Sequence, residues 1–116
     1  MKNNILYAGL FVLLAGCQPQ SNLSAPGQAD RIAEGRAIVE ANCASCHSIE
    51  LSGMSPREDA PPLRTVLANY NAESLADDFR ESIHVGHPDM PDFEFGPKGT
   101  DEVVAYLKSI QDMPKE

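Results

Sequence analysis

The chain has 116 residues, with 9 Lys+Arg against 17 Asp+Glu and a net charge of −8, which leaves room for one small domain and excludes a second. The acidic balance excludes a binder of phosphate backbones, so no nucleic-acid partner is expected. With no Trp, 3 Tyr and 4 Phe, the aromatic supply is thin for a self-sufficient core, and 3 Cys leave one over from any paired disulfide framework.

Residues 1–16 begin with Lys2 and continue in an apolar run from Ile5 to Ala15, broken only by Gly9. As a helix that run is about 16 Å long, half of a ~30 Å hydrocarbon core, so a signal peptide is expected rather than a spanning helix. Its end, Leu14-Ala15-Gly16-Cys17, resembles the lipobox of bacterial lipoproteins. The resemblance implies cleavage before Cys17, lipidation of Cys17, and an exported protein anchored to a membrane on its periplasmic side. Gln18, where an Asp would imply the inner membrane, points to the outer one. From Gln18 to Ala29 the sequence has two Pro, one Gly, several small polar residues and no periodicity. Residues 17–29 are therefore expected to be a lipidated cysteine and a flexible tether reaching about 40 Å at most. Loss of Lys2 with the signal peptide leaves the remainder one charge more negative.

The domain is expected over residues 30–113. Asp30 is placed to cap a helix running toward Cys43, with Ile32, Gly35 and Val39 at helical spacing. Gly35 inside that helix costs up to about 1 kcal/mol against Ala, which predicts a packing purpose. Residues 43–47, Cys-Ala-Ser-Cys-His, carry the attachment signature of a c-type haem. One helical turn can present both sulfurs to the two vinyl groups on one porphyrin edge and bring the next residue, His47, under the ring. A thioredoxin-like pair would sit in a βαβ pattern, and no strand alternation is visible nearby. A zinc site would need a second pair of ligands, and a Cys43–Cys46 disulfide would leave His47 unexplained.

Leu63–Tyr70 is expected to form a short helix, and Asn71 to cap a longer one over Ala72–His84, with Leu75, Phe79 and Ile83 on one face and Gly86 as its stop. A second axial ligand must then come from Met54, His84, His87, Met90 or Met113. Met54 follows His47 by only seven residues, barely enough chain to round a macrocycle, and Met113 sits at a fraying end. Met90 lies between Pro88 and Pro91, in a loop that two prolines stiffen, and is the favoured ligand. His84 and His87 are the alternatives, His84 being expected near the end of its helix and His87 in the loop. Asp89, Asp92 and Glu94 flank Met90 and could either solvate the loop or attract a basic patch on a redox partner. Thr100 is placed to cap the last helix, with Asp101 and Glu102 in its first turn, Val103, Tyr106 and Ile110 on one face, Lys108 toward its end and Pro114 as its stop.

Over residues 30–113 the chain resembles the small class I cytochromes c, through Cys43-Ala44-Ser45-Cys46-His47, Ala60-Pro61-Pro62-Leu63 and Met90-Pro91-Asp92-Phe93. The resemblance implies an all-α fold with crossing N- and C-terminal helices and further helices around one covalent haem c iron per chain. It makes Cys43 and Cys46 the attachment residues, His47 the proximal ligand and Met90 the distal one. The Pro61 carbonyl would accept a hydrogen bond from His47, and Gly35 and Tyr106 would mark the helix crossing. The implied function is one-electron transfer to and from a redox protein, as a shuttle or as the electron-accepting subunit of a dehydrogenase or respiratory complex, with no catalytic residues of its own. The alternative is a five-coordinate haem sensor or a peroxidase-like protein. The porphyrin would complete the thin core.

Overall fold

A computed structural model describes residues 26–111. Three α-helices and one 3-10 helix form the described part: α1 (Gln28–Asn42), the 3-10 helix (Leu63–Ala68), α2 (Ala72–Arg80) and α3 (Gly96–Ile110). No strand occurs among the described residues, as expected for an all-α domain. Residues 1–16, Cys17, Met113 and Pro114 lie outside the described residues.

Helix α1 starts earlier than the expected cap at Asp30, and so takes in Gln28 and Ala29 from the expected tether. Gly27 is the N-cap, in extended backbone, and Asp30 lies in the first turn, where its carboxylate accepts the Gly27 N–H at 3.1 Å. An acid at the third helical position can reach back to the cap residue in this way, so the sequence signal was genuine but read three residues late. Gly35 and Val39 are the buried positions of α1. A β-carbon on Gly35 would stand 1.9 Å from the Glu102 carbonyl oxygen and 3.0 Å from the Tyr106 β-carbon. No side chain fits there, and the absence of one is what lets α1 cross α3 backbone to backbone.

Helix α3 likewise begins before its expected cap. Phe95 is the N-cap and Pro97 occupies the first turn, where its missing N–H has no helical partner to lose. Thr100 is thus inside the helix and fully buried, and its hydroxyl has no hydrogen-bond partner. Asp101 pairs with Arg80 of α2 at 2.7 Å. Glu102 is buried against the helix crossing and pairs with Lys98 one turn back. Val103, Tyr106 and Ile110 form the expected buried face.

Helix α2 is capped by Asn71, whose Oδ1 accepts the N–H groups of Glu73 and Ser74 at 3.0 and 3.1 Å. It ends at Arg80, short of the expected His84. Ser82 takes a left-handed φ of 54°, and the Ile83 N–H donates to the Asp78 carbonyl at 2.8 Å, the closure of a Schellman motif. Ile83 consequently leaves the apolar face and is exposed, and His84 lies beyond the helix. Leu75 and Phe79 remain in the core with Val39, Leu63, Val103 and Leu107. At the end of α3, Gln111 ties the 3-10 helix down: its amide donates to the Leu63 carbonyl and its oxygen accepts the Leu67 N–H.

Candidate functional site

Helix α1 stops at Asn42, and the chain makes one further turn in which the Cys46 and His47 N–H groups both donate to the Cys43 carbonyl, at 3.1 and 2.9 Å. That turn sets two free thiols and an imidazole on the wall of a cavity of about 400 Å³. Val39, Leu63, Leu75, Phe79, Val103 and Leu107 also line it, as does Met90, which the loop after α2 brings to the cavity. Burial pushes the Cys43 thiol up to about 11, with the neighbouring Cys46 adding to the effect. A thiol held protonated is the opposite of the acidified thiol in a dithiol redox pair.

The His47 Nδ1 lies 2.7 Å from the carbonyl oxygen of Pro61. A carbonyl can only accept, so Nδ1 carries the proton and Nε2 keeps its lone pair for a metal. The neighbouring Pro62 carbonyl is otherwise occupied, accepting from the Thr65 N–H and hydroxyl at 3.0 and 2.8 Å. Pro61 in turn is positioned by the Leu63 N–H bond to the Ser48 carbonyl and the Arg57 N–H bond to the Cys46 carbonyl, which pin the intervening segment to the attachment turn.

Met90 is half-buried, and its N–H donates to the His87 carbonyl at 2.8 Å. Gly86, with φ 75°, is close beneath it: a β-carbon there would sit 3.3 Å from the Met90 sulfur. Met54, by contrast, is 90% exposed and not on the cavity wall. His84 is also off the wall, with both ring nitrogens engaged, Nδ1 at 2.7 Å from Asp92 and Nε2 at 2.9 Å from the His87 carbonyl. Asp92 and the His87 carbonyl together raise its pKa. His87 reaches the wall, but its Nδ1 accepts the Asp89 N–H at 3.1 Å. Two of the three acids beside Met90 are engaged within the protein, Asp89 with Arg57 at 2.7 Å and Asp92 with His84, whereas Glu94 is exposed. Arg57 and Asp59 belong to the cavity wall as well. Sequence reasoning missed both, because the Arg57–Asp89 contact joins residues 32 apart with no motif to announce it.

An all-helical domain whose apolar cavity carries a Cys-x-x-Cys-His turn defines a class, the proteins that hold a haem covalently. The chain belongs to the cytochrome c family, whose model matches residues 32–111. A "cytochrome c-553-like" protein of Synechocystis sp. is 33% identical over 88 residues, which cover 76% of this chain and 74% of that protein. No solved structure matches. Membership brings a covalently bound c-type haem with its iron, and electron transfer as the function. The residues present fit that group: an apolar cavity, two free thiols one turn apart, and an imidazole whose tautomer leaves Nε2 unprotonated.

Proposed function

We propose that this chain is a one-electron carrier in which Cys43 and Cys46 hold the haem through thioether bonds, His47 is the proximal ligand and Met90 the distal one. The observation that carries this reading is that all four side chains line one apolar cavity, with the His47 Nδ1 proton held by Pro61. When bound, the haem iron supplies the one-electron couple. The polypeptide supplies the rest. Pro61 fixes the His47 ring and raises its basicity, the core side chains exclude water, and the Met90 thioether favours the ferrous state and so raises the potential. Ligation by both His47 and Met90 would leave the iron no position for a substrate or peroxide, which separates this reading from a sensor or peroxidase-like protein.

The carrier is further proposed to be exported, lipidated on Cys17 and held by residues 17–27 near a membrane, the outer one by the Gln18 argument. No helix among the described residues is long and apolar enough to cross a membrane. Its partner is a redox protein, met as a shuttle or as a fixed subunit. Because Asp89 and Asp92 are paired internally, attraction of a basic patch on that partner is assigned to the exposed Glu94 and to the net charge as a whole, −8 for the full chain and one unit more negative without Lys2. Potentiometric titration of the holoprotein tests the reading: a reversible one-electron wave with slow CO binding to the ferrous form is expected, and rapid stoichiometric CO binding would replace it with the five-coordinate alternative. Cys17→Ser is expected to move the protein from the membrane to the soluble fraction.

A further inference from the structure

The loop that delivers Met90 is joined to the rest of the site by a charge cluster that the ligand set does not explain. Arg57 grips Asp59 with Nε at 2.5 Å and Nη2 at 2.9 Å, and the same Nη2 reaches Asp89 at 2.7 Å. The Arg57 backbone N–H donates to the Cys46 carbonyl at 3.1 Å, so the guanidinium is rooted in the attachment turn itself. Asp89 immediately precedes Met90, and its own N–H donates to His87 Nδ1, which keeps the loop turned. His87 also stands 3.8 Å from Asp59 through Nε2, a second link between the two segments. The guanidinium holds both the Asp59 and the Asp89 carboxyls below the usual carboxylate range, so both stay charged.

We propose that Arg57 is a positioning residue, a clasp that holds the Met90 loop shut against the Cys43–His47 turn through Asp89. The proposal builds on the reading of Met90 as the distal ligand. Residue 57 and residue 89 are the points where the proximal and distal segments meet at the cavity wall, and the clasp acts on how often Met90 leaves the iron. Its members are partly exposed, Arg57 at 38% and Asp89 at 62%. The pair therefore contributes little to global stability, but it is the shortest charged tie from the loop to the segment after the Cys43–His47 turn, 2.7 Å against 3.8 Å for His87–Asp59.

The test is stopped-flow binding of imidazole to the oxidised holoprotein, which requires Met90 to dissociate first. R57Q, D89N and the double variant are compared with wild type, with the melting temperature and far-UV circular dichroism as controls for the fold. Each single variant is expected to bind imidazole about fivefold faster, with an unchanged far-UV spectrum and a melting temperature lowered by no more than a few degrees. The double variant should be no faster than either single one. Raising ionic strength should speed the wild type and leave R57Q unchanged, because only the wild type has the pair to screen. If R57Q folds poorly, D89N and R57K carry the comparison. Unchanged rates in the single variants, or additive effects in the double one, would overturn the clasp while leaving Met90 as the ligand. A wild-type oxidised protein without the far-red sulfur-to-iron band would overturn both.

Discussion

The cavity sets the stability of the whole domain. At roughly 24 cal/mol per Å³ of unfilled volume, keeping the 400 Å³ open without the cofactor costs up to about 10 kcal/mol, an upper bound for a cavity with a mouth to solvent, and comparable with the net stability of an ordinary small domain. The polypeptide alone therefore cannot hold this structure. The perturbation is Cys43→Ser with Cys46→Ser, or production of the chain without haem attachment. The crossing of α1 and α3 at Gly35 and Tyr106 does not depend on the cavity, so part of the helix content should survive. The expected product is a molten state: reduced far-UV ellipticity, no near-UV signal, strong binding of a hydrophobic dye and no cooperative heat-absorption peak. The fold returns only with covalent haem. A sharp two-state calorimetric melt of the cofactor-free chain would refute the reasoning, because it would show that the core side chains close without the porphyrin.

Other consequences follow from single contacts. Gly35→Ala puts a β-carbon 1.9 Å from the Glu102 carbonyl oxygen, and should cost about 3 kcal/mol or more in chemical denaturation of the holoprotein as the helices separate; a cost near zero would mean the crossing is loose. Thr100→Val replaces a fully buried, unpartnered hydroxyl by a methyl of similar size and should stabilise by about 1 kcal/mol, read as a raised melting temperature. The His84 pKa is raised above 6.5 by Asp92 and the His87 carbonyl. A raised folded value means that its contribution is fully present below 6.5 and is lost as pH climbs through the folded value. An NMR titration should place that midpoint above 6.5, and Asp92→Asn should bring it down.

The Cys43–His47 turn was legible because its chemistry is local, all three side chains lying within one turn, and Met90, favoured for its two prolines, is found lining the same cavity. Pro61 could be singled out from Pro62 only by resemblance, and it was the geometry that gave its carbonyl to His47 and the Pro62 carbonyl to Thr65. Element boundaries were less legible where two signals competed. Asp30 and Thr100 both resemble N-caps, but Asp30 serves from the third helical position and Thr100 was overtaken by Pro97, which starts α3 a turn earlier. Helix α2 was read too long because Gly86 seemed the natural stop, whereas Ser82 adopted the left-handed conformation itself. Asp89 and Asp92 read as free surface charge, since their partners Arg57 and His84 are supplied by the folded chain and not by the neighbouring sequence. The expected lipobox and residues 17–25 of the expected tether lie outside the described residues and stand on sequence alone.

The central claim is that one cavity brings His47 and Met90 to the same iron. It is tested most directly by the far-red absorption band of the oxidised holoprotein, which arises from a sulfur–iron bond. The band is expected in the wild type, retained in Met54→Ala, His84→Ala and His87→Ala, and lost in Met90→Ala. A band that survives Met90→Ala, or is missing from the folded wild type, would contradict it.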